Sequence, residues 1–152
     1  MKIIFLDFDG VMDTAYYDMV LVSKGLQEVI LFDPACVRNL ETIIRKTKAD
    51  IVVTSSWKYL MSYEEFLEMW NARNLPGFIT DTTPNISNHR GDEIDAWIRE
   101  CKTECEYVII DDLDANNFNE HHLPHLITVN PYNGLDEIAV KQAIEILGMD
   151  VS

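Results

Sequence analysis

Residues 2–11 have the sequence KIIFLDFDGV, an apolar run that ends at two aspartates and a glycine. Such a run predicts a buried strand over Lys2–Leu6. Asp7 and Asp9 are two residues apart, so just past the strand end they can flank one site. Gly10 permits a sharp turn at this point and lets the backbone approach a ligand closely.

Two further predicted strands also end in polar residues. They are DIVV at 50–53, followed by Thr54-Ser55-Ser56, and EYVII at 106–110, followed by Asp111-Asp112. Ligands of a parallel sheet bind beyond the carboxyl ends of its strands, so we expect all three polar sets to converge on one crevice. The hydroxyls of Thr54 and Ser55 can donate hydrogen bonds to phosphoryl oxygens. Aspartates also favour helix caps and turns, but three sets together favour a functional site.

The rest of the chain alternates short strands with amphipathic stretches, which predicts a parallel sheet covered on both faces. The expected fold class is therefore α/β: a single Rossmann-like domain over residues 1–152, with a central parallel sheet flanked by helices. The remaining predicted strands are 78–79 and 126–129. One helix is predicted to start at Pro34, after the N-cap Asp33. Three more helices are predicted at 62–72, 91–101 and 135–147.

Three further expectations concern segment 13–32, the cap domain and the last helix. Segment 13–32 contains the strand-like pieces MVLV and EVILF and is expected to form a hairpin or a flap. No insertion is long enough for a large cap domain, so we expect a minimal cap or none, and an open site. In the last helix, Ile138 and Ala139 are expected on the core face.

Composition excludes several classes of protein. With 12 basic and 26 acidic residues, the chain has a formal net charge of −14, which argues against non-specific nucleic-acid binding. No segment reaches the ~18 apolar residues that a membrane span needs, and the N-terminal run meets Asp7 too soon for a signal peptide. Cys36, Cys101 and Cys105 fit reduced thiols better than a disulfide framework. We expect a cytoplasmic protein.

The aspartates at the strand ends predict a metal site. Four neighbouring carboxylates, those of Asp7, Asp9, Asp111 and Asp112, cannot all stay ionised cheaply without a cation. A hard cation with oxygen ligands, most simply Mg²⁺, resolves the repulsion. Neighbouring strand residues point to opposite sides, so only one member of the Asp111–Asp112 pair is expected to bind the metal directly, and Asp112 is favoured.

Three segments resemble motifs of the haloacid dehalogenase superfamily of phosphohydrolases. FLDFDGV resembles the first motif, IVVTSS the second and YVIIDD the fourth, in the right order and over most of the chain. More narrowly, the chain resembles the small haloacid-dehalogenase-type domain that occurs in multi-domain RNA repair proteins. The segments that carry this narrower resemblance are TSSW, RGDEIDAWI, YVIIDDLD and NPYNGL.

The resemblance implies a mechanism. Asp7 would attack phosphorus and form an aspartyl-phosphate, while Asp9 would protonate the leaving oxygen and later take a proton from the hydrolytic water. Mg²⁺ would bind Asp7, the backbone carbonyl of Asp9 and a carboxylate of the acidic pair. Thr54 would hydrogen-bond a phosphoryl oxygen. The implied function is a Mg²⁺-dependent phosphomonoester hydrolase, whose substrate is a small phosphorylated compound or a nucleic-acid end.

The basic residue of the family's third motif has no clean match here. Arg90 is the first choice, because it precedes a predicted helix between the second and fourth motifs and its planar fork suits phosphate. Lys58, four residues after Thr54, is the second choice. The alternative function is a catalytically idle binding or regulatory domain that kept the fold. A dehalogenase is disfavoured, because its reaction has no leaving oxygen for Asp9 to protonate.

Other residues suggest weaker hypotheses. By ligand type, a zinc site is conceivable, although the spacing of its ligands fits no common zinc finger. Its ligands would come from Cys101, Cys105, His121, His122 and His125. Trp70 and Trp97 lie on apolar helix faces and are expected in the core. Trp57 follows the phosphate-binding hydroxyls and is the best candidate for stacking on a base.

Overall fold

Five parallel strands form one sheet in the computed structural model, which describes residues 1–26 and 28–151. The strands are β1 (Lys2–Leu6), β2 (Asp50–Val53), β3 (Ile79–Thr82), β4 (Glu106–Asp111) and β5 (Leu126–Thr128). Their spatial order is β3-β2-β1-β4-β5, so the chain builds outward from β1 to one edge and then to the other. The strand order therefore reverses beside β1, where open sheets bind ligands.

The described residues also form five α-helices, together with short 3-10 helices at Ser56–Tyr59, Ala115–Asn117 and Glu120–His125. The α-helices are α1 (Ala15–Ser23), α2 (Pro34–Thr47), α3 (Tyr63–Ala72), α4 (Arg90–Glu100) and α5 (Glu137–Leu147). Helices α2, α3 and α5 contribute to one apolar cluster and α4 to a second. The predicted α/β fold, a parallel sheet flanked by helices, is confirmed.

Side chains of β1 alternate between the two apolar clusters. Ile4 and Leu6 belong to the larger cluster, whereas Ile3 and Phe5 belong to the smaller one. All four are fully buried. The unbroken apolar run of β1 thus follows from its central place in the sheet, where both faces are covered.

Helix starts follow local capping chemistry. Asp33 accepts a hydrogen bond from the Ala35 backbone N–H at 2.9 Å, and Pro34 is the first residue of α2. At α3, Ser62 and Glu65 form the reciprocal pair of a capping box. These caps hold the helices that carry the larger cluster.

In segment 13–32 the predicted hairpin is wrong, whereas the predicted flap stays a prediction. The first half of the segment is helix α1, because Thr14 caps it by accepting a hydrogen bond from the Tyr17 N–H at 3.0 Å, and no neighbouring strand pairs with it among the described residues. Within α1 only Leu21 is buried. Gln27, the residue before EVILF, lies outside the described residues. The β-branched run was a misleading signal, because a local cap outweighs β propensity where no partner strand exists.

Smaller differences concern edges. Strand β3 starts one residue later than predicted and extends to Thr82, and Ile138 is 67% exposed rather than part of the core face of α5. Ala139 is buried as expected.

No helix in residues 1–26 and 28–151 has the length and apolar character needed to cross a membrane.

Candidate active site

The loop after β1 is a tight turn. The backbone N–H groups of Val11, Met12 and Asp13 all donate to the Phe8 carbonyl oxygen, at 3.1, 2.8 and 2.9 Å. Gly10 has φ +77°, and a Cβ at this position would collide with the Asp112 carboxylate. Only glycine fits this backbone conformation at such a close approach. The turn therefore brings Gly10, the residue after Asp9, against the end of β4.

Three of the four carboxylates predicted at this site come together, and the carboxylate of Asp9 is not part of this group in the described residues. Asp7, Asp111 and Asp112 each offer an oxygen within 4.8 Å of the others. Asp7 is 4% exposed and Asp111 is fully buried. Burial and the charge of Asp111 raise the pKa of Asp7 to about 8, although Arg90 opposes the shift. Burial likewise raises the pKa of Asp111. Such a set of oxygen ligands fits a hard divalent cation.

The two aspartates after β4 have different surroundings. Asp111 accepts a hydrogen bond from Arg90 Nη1 at 2.7 Å and another from the Leu113 backbone N–H at 3.0 Å, so each of its oxygens has a partner. Asp112 lies against Gly10, and its carboxylate has no hydrogen-bond partner among the described residues. Asp112 is therefore the member of the pair with free ligand oxygens.

Arg90, the first residue of α4, reaches into this carboxylate cluster. Its Nη1 lies 3.3 Å from Asp7 Oδ1 and 2.7 Å from Asp111 Oδ2, and 16% of its side chain is exposed. The two carboxylates raise the pKa of Arg90 against the effect of burial. The guanidinium thus stays charged and presents an exposed edge beside Asp7.

Lys58 lies in a separate buried cluster. Its Nζ donates to Glu93 Oε1 at 2.9 Å and to Asn85 Oδ1 at 2.7 Å, and its side chain is 2% exposed. Glu93 Oε2 accepts from the Ile86 N–H at 2.9 Å. Burial lowers the pKa of Lys58, and the contact with Glu93 opposes the shift. The structure does not bring Lys58 into contact with the carboxylates of the other site.

The hydroxyls after β2 differ in availability. Thr54 is 1% exposed, and its Oγ1 is a buried atom without a hydrogen-bond partner in the described part of the chain. Its backbone N–H donates to the Leu6 carbonyl at 3.0 Å, which places it beside the end of β1. Ser55 Oγ accepts from the Trp57 N–H at 3.2 Å and caps the short helix. A buried hydroxyl without a partner is costly, so Thr54 suits a ligand oxygen.

Asp9 has a partner that the sequence did not indicate. Its carboxylate is exposed and accepts a hydrogen bond from the indole Nε1 of Trp57 at 3.0 Å. Trp57 therefore contacts the site through its N–H, and stacking of a base on its ring stays a prediction. Its position just after Thr54 and Ser55 was the available signal. Trp70 is buried in the core, as expected.

The predicted cysteine–histidine set does not assemble as a zinc site. His121 and His122 instead contact Asp95 Oδ1, at 2.8 and 2.7 Å. His122 Nδ1 accepts the Asn119 backbone N–H at 3.1 Å, so the neutral ring carries its proton on Nε2 and donates it to Asp95. A ring nitrogen in that state has no lone pair for a metal. The cluster is a hydrogen-bond network that joins α4 to the 3-10 helix at Glu120–His125.

A family model described as the HAD domain in Swiss Army Knife RNA repair proteins matches residues 3–140, and the chain belongs to that family. Searches of curated proteins and of solved structures found no match. The family match covers β1 from Ile3 onward, the other four strands and all the candidate site residues.

Proposed function

We propose that this chain is a Mg²⁺-dependent phosphomonoester hydrolase that acts through an aspartyl-phosphate on Asp7. The observation that carries the proposal is the set of groups at the carboxyl ends of β1, β2 and β4 and at the start of α4. It combines the Asp7–Asp111–Asp112 carboxylate cluster, the charged edge of Arg90 and the unpartnered hydroxyl of Thr54. Carboxylates for a metal, a cation and a donor for the phosphoryl group are the parts that phosphoryl transfer needs.

Each residue has a role in the two proposed steps. An oxygen of Asp7 forms a bond to phosphorus as the bond to the ester oxygen breaks, and Asp9 gives that leaving oxygen its proton. Water then attacks the phosphoryl group and gives a proton to Asp9, which frees inorganic phosphate and restores the Asp7 carboxylate. Arg90 and Thr54 hold the phosphoryl oxygens throughout.

The metal would be held by Asp7, the backbone carbonyl of Asp9 and Asp112, with Asp111 tied to Arg90 as an outer partner. When bound, Mg²⁺ supplies positive charge that offsets the repulsion between Asp7 and the phosphoryl group. The raised pKa of Asp7 supports this role, because without a bound cation the Asp7 carboxyl would keep its proton at neutral pH.

The proposed substrate is a nucleotide or a polynucleotide end, acted on in the cytoplasm. The family description, which refers to RNA repair proteins, supports a nucleic-acid end. The formal net charge of −14 disfavours long contacts along a phosphate backbone, so only a terminal phosphate or a small molecule is expected to bind. Three free cysteines accord with a reducing compartment.

The test is hydrolysis with and without Mg²⁺. An aryl phosphate, mononucleotides and oligonucleotides phosphorylated at the 3′ or 5′ end should be incubated with the parent chain and with Asp7→Asn. We expect phosphate release that requires Mg²⁺ and Asp7, with nucleotide or oligonucleotide ends preferred. Absence of turnover on every substrate, in folded protein with millimolar Mg²⁺, would favour the alternative of a binding or regulatory domain.

A further inference from the structure

Asp9 stands on the exposed side of the turn after β1. An exposed carboxylate has several side-chain rotamers, and most of them would point it away from a leaving group. In the described residues, its side chain has one hydrogen-bond partner, the indole Nε1 of Trp57 at 3.0 Å. This contact joins two loops that are 48 residues apart in the sequence.

The indole itself is held firmly. Its ring lies edge-on to Phe8, with centroids 5.2 Å apart and an interplanar angle of 74°, and it also packs on Phe32 at 5.9 Å. The Trp57 backbone N–H is bonded to Ser55 Oγ at 3.2 Å. A donor that is fixed by packing and by a hydrogen bond can orient a more exposed acceptor.

We propose that Trp57 is a positioning residue for Asp9 in the hydrolysis proposed above, on which this inference rests. The indole N–H is only a donor, so it holds Oδ1 and leaves Oδ2 to carry the proton that passes to the leaving oxygen. Fixing one carboxylate oxygen thereby aims the other. The contribution of Trp57 is then largest for substrates whose leaving group needs that proton.

The variant Trp57→Phe tests this, because it keeps an aromatic ring and removes the N–H. The measured quantity is kcat/KM, which reports the step that forms the aspartyl-phosphate, for an alkyl phosphate and for an activated aryl phosphate. We expect roughly a tenfold loss on the alkyl phosphate, a part of the ~10²–10⁴-fold that acid–base catalysis contributes, and little change on the aryl phosphate.

Trp70→Phe is the matched control. Trp70 also packs on Phe8, with centroids 6.0 Å apart, and its indole N–H also has a partner, the Pro76 carbonyl at 2.9 Å. It does not contact Asp9. Both variants lose an indole and its N–H hydrogen bond near the Phe8 ring. A merely structural effect should therefore lower kcat/KM equally on both substrates in both variants.

Asp9→Asn separates this inference from the function on which it rests. If Asp9→Asn shows the alkyl-selective loss but Trp57→Phe behaves like Trp70→Phe, the positioning role is wrong and the hydrolysis stands. If Asp9→Asn shows no alkyl-selective loss, the role of Asp9 as an acid is wrong. In the double variant Trp57→Phe with Asp9→Asn, we expect the alkyl-to-aryl ratio to stay at the value for Asp9→Asn alone.

A spectroscopic measurement checks the contact without any turnover. In ¹⁵N–¹H spectra, the indole N–H signal of Trp57, assigned by its loss in Trp57→Phe, should move in Asp9→Ala. The signal of Trp70 should stay in place. An unmoved Trp57 signal would overturn the proposal whatever the activity.

Discussion

Arg90, whose side chain is 16% exposed, and Lys58, whose side chain is 2% exposed, are two cations in very different electrostatic surroundings. Arg90 contacts Asp7 and Asp111, with the Asp112 carboxylate close by, so negative groups outnumber positive ones. Lys58 faces one carboxylate, that of Glu93, and neutral oxygens complete its contacts. A balanced buried pair needs nothing further, whereas an excess of carboxylates favours binding of a cation. Charge imbalance therefore distinguishes the proposed reactive site from a structural cluster.

The largest expected effect on turnover comes from Asp7→Asn. The amide keeps the shape of the side chain but cannot form the aspartyl-phosphate, so we expect activity to fall below detection on every substrate. Phosphate release in the presence of Mg²⁺ measures this. Substantial activity in Asp7→Asn would place the nucleophile elsewhere.

The same substitution should stabilise the protein in the absence of metal. The pKa of Asp7 is about 8 in the fold and 3.8 as a reference value, so between these values the folded state binds more protons. The stability that Asp7 contributes is thus fully present below about pH 4 and is lost as pH rises toward 8. At pH 8 with EDTA, Asp7→Asn should melt higher than the parent by at least roughly 2–4 °C, the shift that about 1 kcal/mol produces in a chain of this size. At pH 4 the gain should vanish.

Arg90→Ala should have the next largest effect on turnover. Loss of a charged donor to the phosphoryl group is expected to lower kcat/KM by about 10²–10³-fold. Arg90→Lys should recover part of the loss, because it restores charge without the planar fork. Equal kcat/KM in Arg90→Ala and the parent would assign the phosphate contact to another residue.

Lys58→Met should chiefly affect folding. It leaves the Glu93 carboxylate buried without its cation, and this is expected to cost about 3–5 kcal/mol in the free energy of unfolding. Below the melting temperature, activity per folded molecule should fall less than tenfold. The control is Lys58→Met combined with Glu93→Gln, which removes the stranded charge and should recover stability. A loss of kcat/KM as large as that of Arg90→Ala, with stability unchanged, would reverse the comparison.

The sequence predicted well those features that depend on local pattern. Strands β1 and β2 have the predicted bounds, because a run buried on both faces is apolar throughout. Arg90 ranked above Lys58 by its place between motifs and its planar fork, and the charge balance around the two was not visible in the sequence. The Trp57–Asp9 contact and the Asp95 network join residues that are 48 and 27 positions apart, and no local pattern encodes such contacts.

The smallest expected effect is a change in proton count. With a pKa of about 8, Asp7 is largely protonated at pH 7 in the metal-free protein. If it is a direct ligand of Mg²⁺ it must lose that proton, because metal-bound carboxylates are ionised. Calorimetric titration of Mg²⁺ in buffers of different ionisation enthalpy counts the protons released.

We expect release of about one proton per Mg²⁺ at pH 7 and of about a tenth of a proton at pH 9, where Asp7 has already ionised. Asp7→Asn should remove the release at pH 7. Lys58→Met combined with Glu93→Gln should leave it unchanged, since that pair lies outside the carboxylate cluster. Mg²⁺ binding at pH 7 without proton release would mean that Asp7 is already ionised or is not a ligand. If Asp7 is not a ligand, the excess of negative charge around Arg90 has to be relieved through Asp112.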